Sequence, residues 1–330
     1  MPDGRAAVVL AQLGGPETLD EVRPFLYNFF VDLIPDNIPV PPVLIKPTAW
    51  LISTVRAPYS RKLYASIGGG SPLRDQSEAQ SRALAAELER RGSPLPVHLA
   101  MRNWRPFSDE ALEAMRTERV ERIVFVPLYP QYSFSTTRSS LNELRRVMKL
   151  MRYEPELLVV DQYCDDPDFL AAVSDLTRTR LAEFASLRAD IHLIFSAHGL
   201  PMRYIERGDP YFEQVNRSVA GVAALLGHPG PVHTSFQSRL GPEKWLEPAT
   251  EELIARLGSE GARAVCVVPI AFVSEHVETL NEIDIQYAQV AREHGIDEFK
   301  RVPTVQTHPS FIACLANAVE RSLHPVGAPT

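Results

Sequence analysis

The sequence predicts an α/β protein made of two doubly wound, parallel-sheet domains. Three observations carry this. Short runs rich in Val, Ile and Leu alternate with longer segments of helical periodicity along the chain, and repeated β-α-β order builds parallel sheets covered by helices on both faces. Four such runs precede Asp165 and four follow it. The length of 330 residues also exceeds the roughly 150 of an average domain.

The first strand, Ala7–Gln12, begins almost at the N-terminus, and its apolar run is too short and too lightly flanked for a signal peptide. Phe25 to Tyr59 then breaks the rhythm. It is strongly apolar but carries five prolines between Pro35 and Pro47, which forbid one continuous helix. It reads either as a long connection folded onto the core or as an apolar lip over a pocket, in contact with a membrane through residues 29–52. Gly68-Gly69-Gly70-Ser71-Pro72 is a turn before a Pro-started helix or a weak phosphate loop, since no Lys-Ser or Lys-Thr follows at Walker spacing. Helix Asp75–Arg91, strands Val97–Met101 and Arg122–Leu128, helix Leu141–Met151 and strand Leu157–Gln162 complete a first domain, 1–165.

The second domain, 166–308, follows the same pattern. Its helices are expected at Pro167–Leu187, Tyr211–Leu226 and Glu247–Leu257, and its strands at Ile191–Ser196, Val232–Phe236, Ala264–Phe272 and Val302–Gln306. A last segment, 309–330, opens with helix Pro309–Leu323, which is placed to pack back on the first domain.

Bulk properties narrow the function. Hydrophobic residues make up 45% and charged residues 23%, and the net charge is −7. An acidic chain is a poor partner for nucleic acid. Cys164, Cys266 and Cys314 have neither CxxC spacing nor a disulfide framework, which fits a reducing compartment. No window reaches the ~18 uninterrupted apolar residues of a spanning helix. The expectation is a cytoplasmic protein with membrane association through the lip.

Ligands of open parallel sheets bind outside the carboxyl ends of the strands, and two motifs fall there. His198, in Ser196-Ala197-His198-Gly199-Leu200-Pro201, shares a strand face with Ile194 and Ser196 if the chain stays extended. It is either a core histidine satisfied by hydrogen bonds or a base working near neutral pH. Glu275, Glu278, Glu282 and Gln286 follow the next strand at helical spacing, beside His276, with no Lys or Arg between Glu275 and Ala291. The stripe is an exposed acidic face, or a row that shares protons or hosts a hydrated cation. The loop Leu128 to Thr137 is rich in hydroxyls, suited to cap a helix or hold an anion. There is no HExxH, GxSxG or GxGxxG.

Together with Leu13-Gly14-Gly15-Pro16-Glu17, Arg207-Gly208-Asp209-Pro210-Tyr211, Phe236-Gln237-Ser238-Arg239 and Trp245, these motifs resemble the ferrochelatases over nearly the whole chain. The resemblance implies two flavodoxin-like domains with a porphyrin cleft between them, and insertion of Fe²⁺ into protoporphyrin IX. It implies that His198 and Glu278 form the central pair, the candidates to touch the metal, with Glu275, His276 and Glu282 along a proton or metal path. Leu13, Arg56, Tyr64, Arg102, Tyr129, Ser133, Ser135 and Trp245 would contact or flank the macrocycle. Whether His198 takes pyrrole protons or ligates iron stays open. Gln286 stands where many relatives carry an acid. Phe134 stands where iron–sulfur members place a cysteine, and the C-terminus at Gly327 to Thr330 has no cysteine cluster. A 2Fe–2S centre needs four ligands, so neither a cluster nor another tightly bound cofactor is expected. Leu13 replaces the tyrosine of coproporphyrin-type relatives, favouring protoporphyrin IX over coproporphyrin III. Three rivals share parts of the pattern: a chelatase for another metal or tetrapyrrole, a haem or porphyrin carrier, and a twin-domain transferase. A carrier has no need of an acidic row, and a transferase would want a stronger phosphate signature than Gly68–Gly70.

Overall fold

In the computed structural model, residues 5–324 are described, apart from 240 and 242. The eight strands form two separate parallel sheets. The first holds β1 (Ala6–Gln12), β2 (Val97–Met101), β3 (Arg122–Pro127) and β4 (Glu156–Val159), in the order β2-β1-β3-β4. The second holds β5 (Ile191–His198), β6 (Val232–Gln237), β7 (Ala264–Pro269) and β8 (Glu298–Arg301), in the order β6-β5-β7-β8. The two sheets are wound alike: the chain runs from the first strand to one side, then returns past it. Each therefore has a reversal point, between β1 and β3 and between β5 and β7, where a crevice opens at the carboxyl ends.

Central strands fall on their apolar runs because they are buried on both faces; β7 is buried at every residue but ends at Pro269, short of the expected Phe272. The edges differ from expectation. The last strand is Glu298–Arg301, not Val302–Gln306. All four of its residues are half-buried, as an edge strand with one wet side requires, whereas Val302, Thr304 and Val305 are buried coil. An apolar run reports burial and not strand as such. Strand β4 likewise stops at Val159, and the helix after Asp166 stops at Leu181.

The proline-rich segment is no long connection. It folds into two helices, α1 (Val22–Asn37) and α2 (Pro42–Ser66), packed on each other. The chain breaks only between them, around Pro39 and Pro41. Pro42 occupies the first turn of α2, where its missing N–H is harmless. Pro47 and Pro58 lie inside α2 but on its exposed face, where water can satisfy the carbonyls they leave free. Ala49, Ser53, Ala57, Ser60 and Tyr64 recur along the inner face of α2. The small side chains of the first four let α1 approach, and Phe25, Leu26, Phe30 and Ile34 are buried there. Helix α3 (Leu73–Arg90) follows.

One apolar cluster runs through both sheets, joining Leu10 and Val126 to Phe195, Val268 and Phe311. Helix Pro309–Leu323 packs on α3, β3 and helix Pro167–Leu181; residues 325–330 of the expected C-terminal segment lie outside the described residues. Among the described residues no helix is long and apolar enough to cross a membrane.

Candidate active site

His198 ends β5 at the reversal point of the second sheet. Alternation along the strand places Ile194 and Ser196 below it, both fully buried, while the His198 side chain emerges 37% exposed. Gly199 turns the chain where any Cβ would lie 2.8 Å from the Gln237 carbonyl oxygen. Its own N–H donates to that oxygen at 2.7 Å, so only glycine permits this approach.

The loop after β7 brings Glu278 to His198, with Nδ1 and Oε1 3.4 Å apart. Glu278 opens a ten-residue π-helix, Glu278–Tyr287; such i→i+5 turns recur at functional sites. Its N–H donates to Nδ1 of His276 at 3.0 Å, which leaves the proton of a neutral His276 on Nε2. Burial pushes the His276 pKa down and outweighs the opposing pull of Glu278 and Glu275, so this ring is neutral. Phe272 lies edge-on between the two histidines, 4.4 Å from the His276 ring centroid and 6.4 Å from that of His198.

The acidic stripe is not one open row. Glu275 is 6% exposed. It accepts from Arg301 at 3.0 Å, Thr279 at 2.6 Å and the Thr304 N–H at 2.9 Å. Burial alone would raise its pKa, but Arg301 and the hydrogen bonds win and hold it below the usual carboxylate value. A carboxylate pinned in its charged form carries protons poorly, and these bonds anchor it to Arg301, Thr279 and Thr304. Glu282 accepts from the Ser238 N–H at 2.9 Å, the Ser238 hydroxyl at 2.5 Å, Gln237 at 3.1 Å and Tyr287 at 2.6 Å. It ties the π-helix to the end of β6. Gln286 donates to Asn281 at 2.5 Å, and Asn281 to Ser66 at 2.7 Å. Glu278 is thus the member of the stripe that faces His198.

Tyr64, at the end of α2, is buried close to Glu278, and burial, then that carboxylate, pushes its hydroxyl pKa up. Leu13 and Arg56 are half-buried, and Arg56 lies 6.0 Å over the Tyr59 ring. Arg102 is ion-paired to Asp32 of α1, and its Nε donates to Ser139 at 3.2 Å. Tyr129 lies beside it, its hydroxyl pKa raised mainly by burial. Trp245 packs over Gly199 at 3.3 Å from an ideal Cβ, and its indole N–H is buried with no partner among the described residues. Ser133 is different. It is 1% exposed and donates to Asp209 of the other half at 2.9 Å, as a strut between the halves. Ser135 donates its N–H to the Ser133 hydroxyl at 3.2 Å. The Gly68–Gly70 loop is no phosphate cradle either: a Cβ on Gly70 would fall 2.0 Å from the Glu17 carbonyl oxygen, and Ser71 N–H donates to Pro16 at 2.7 Å. Gly70 lets the two loops pack.

Arg301, Asp32 and Tyr287 escaped sequence reasoning because they meet their partners only in the fold: Arg301 from an edge strand, Asp32 from α1 to the loop after β2, and Tyr287 five residues along the π-helix. Asp209 stood in a quoted motif, and its acid type was the available signal. The three cysteines are free and buried on separate elements, with burial pushing Cys164 and Cys266 up to about 12. Among the described residues no group of three or more His, Cys, Asp or Glu side chains is arranged to hold a metal.

A family profile described as Ferrochelatase matches residues 5–323. A curated ferrochelatase from a Synechocystis strain is 46% identical over 328 residues, covering 97% of this chain and 83% of the relative. One from a Picosynechococcus strain is 46% identical over 325 residues with the same coverage. Among solved structures, SirB from Bacillus subtilis with Fe³⁺ superposes with a TM-score of 0.55 at 14% identity, covering 96% of this chain and 95% of that one. A sirohydrochlorin chelatase SirB with cobalt gives 0.54 at 13%, covering 97% of each. At such identity these two speak for the fold alone.

Proposed function

The chain belongs to the ferrochelatase family, and from this premise we propose that His198 and Glu278 carry out its chemistry at the carboxyl ends of β5 and β7. As a ferrochelatase it is a lyase that inserts Fe²⁺ into protoporphyrin IX to form protohaem, the terminal step of haem synthesis, with release of two protons. The observation that carries the assignment is the 3.4 Å approach of His198 Nδ1 to a carboxylate whose neighbours in the stripe are tied down elsewhere.

Insertion removes two pyrrole protons and strips water from the cation. His198 takes the protons and passes them to Glu278, which leads them out of the cleft; the pair also meets the incoming Fe²⁺. His276, neutral and fixed by the Glu278 N–H, sets the start of the π-helix. A flat macrocycle keeps its lone pairs in the ring plane, so apolar groups that grip and bend it expose them, with binding energy from the ring edge offsetting the strain. Leu13, Arg56, Tyr64, Tyr129, Ser135 and Trp245 line that grip, and Arg102 fixes its wall through Asp32. The cleft lies between domains 1–165 and 166–308, with helix Pro309–Leu323 returning to the first. Three cysteines at separate places in the sequence, against the four ligands of a 2Fe–2S centre, support a reaction that uses no such cluster. The working place is the cytoplasm, at a lipid surface reached by the exposed face of α2.

The test is anaerobic. Purified protein is mixed with protoporphyrin IX and Fe²⁺, and porphyrin fluorescence is followed beside His198→Ala. Catalytic loss of fluorescence in the wild type, at least ~100-fold slower in the variant, with porphyrin still bound, supports the assignment. Equal turnover in both removes His198 from it.

A further inference from the structure

We propose that Arg301 is a positioning residue for iron insertion: it joins the loop before Glu278 to the helix behind it and so holds that carboxylate at the cleft. This rests on the assignment of Glu278 above. Arg301 ends edge strand β8, yet its side chain is only 8% exposed. Its Nε and Nη2 form a two-pronged pair with Asp284, each at 2.8 Å. Its Nη1 donates to Glu275 Oε1 at 3.0 Å and to the Val302 carbonyl at 3.2 Å. Glu275 lies three residues before Glu278 and Asp284 six after it. One guanidinium therefore grips both flanks of the catalytic segment.

The loop is held from the other half of the molecule as well. Glu275 N–H donates to Gln76 of α3 at 2.7 Å, and Gln80 donates to the Val273 carbonyl at 3.0 Å. These bonds fix the loop backbone but do not touch the π-helix. Thr279 joins Glu275 to the first turn of the π-helix at 2.6 Å; Arg301 extends that tie to Asp284, farther along the helix, and its planar fork fixes angle as well as distance. A buried guanidinium between two carboxylates carries a large desolvation penalty, which is tolerable where position matters more than stability. Lysine, a point charge on a flexible stem, keeps the attraction and loses the fork.

The experiment uses the full chain with Arg301→Lys, Arg301→Met and Asp284→Asn. Anaerobic insertion kinetics, porphyrin binding by fluorescence and thermal unfolding are measured together. The expected result is a fall in kcat of about 10-fold for Arg301→Lys and on the order of 100-fold for Arg301→Met, with the porphyrin KM unchanged and the protein folded at the assay temperature. Asp284→Asn removes one arm alone and guards against a Met variant that does not fold; it too should lower kcat and spare KM. Wild-type kcat in both Arg301→Lys and Asp284→Asn overturns the inference. So does a loss that merely tracks the unfolded fraction. Glu278→Gln runs alongside: if it turns over like wild type, the assignment of Glu278 fails; if it is inactive while the Arg301 variants are not, only the role of Arg301 fails.

Discussion

Ser133 donates its hydroxyl to Asp209 across the two halves of the molecule at 2.9 Å, and the same carboxylate oxygen takes the Phe134 N–H at 2.7 Å. The other Asp209 oxygen accepts from the Tyr211 N–H at 3.0 Å. The loop after β3 is thereby tied to the segment that follows the His198 loop. A buried acid with three donors leaves them all unpaired when it is removed. Asp209→Ala is expected to destabilise the fold by about 2–4 kcal/mol and Ser133→Ala by about 1–2 kcal/mol. Urea unfolding measures both, and two variants indistinguishable from wild type would dismiss the strut.

Glu278 and Glu282 should part company when each is changed to glutamine. Glu282 accepts four hydrogen bonds, so Glu282→Gln is expected to lose about 1–3 kcal/mol of stability and to slow insertion only modestly. Glu278 faces His198 and is 34% exposed; Glu278→Gln should fold like wild type and lose at least ~100-fold in turnover. The reverse pattern would exchange the two roles.

That division could not be read from the sequence, for a physical reason. Spacing of three and four places Glu275, Glu278 and Glu282 along one helix, and nothing within the segment neutralises them. Groups that tie them down reach in from elsewhere: the Arg301 guanidinium from a strand edge, and the Ser238 hydroxyl and N–H from just past β6. The positions of His198 and the acidic loop were legible because strand ends follow from apolar runs. The helices of the lip were not, since prolines on an exposed helix face look the same in sequence as prolines in a loop. Edge strands β4 and β8 were blurred because half-buried residues carry little pattern.

Acid should reach Glu275 through its partner. Its pKa is lower in the folded protein than in the unfolded chain, burial notwithstanding, because of Arg301, Thr279 and Thr304. Such a group binds fewer protons when folded. Its contribution to stability is full above the unfolded value of about 4.3 and is lost as the pH falls from there through the folded pKa. Glu275→Gln should therefore be less stable than wild type at neutral pH, and the gap should narrow on acidification below about pH 4. Denaturant midpoints across that range decide it; a gap of constant size would mean the carboxylate is not held ionised.

The outer face of α2 makes the last prediction. Val43 is 79% exposed, Val55 71%, Leu51 57% and Trp50 54%, with Leu44 and Tyr59 beside them. A stripe of this kind on a helix packed by its other face has no partner among the described residues, and apolar surface of this extent usually meets a protein or a lipid. Its place beside the cleft, and a substrate that is itself apolar, favour lipid. A helix lying in the interface gains from each large side chain it buries, about 1.5–3 kcal/mol for one that moves fully out of water. Trp50→Ser should thus weaken partitioning on liposome flotation by roughly 10-fold or more, while insertion of Fe²⁺ into detergent-solubilised porphyrin stays at the wild-type rate. Equal flotation of the two proteins would assign the stripe to gripping the macrocycle, and the variant's KM for porphyrin would then rise instead.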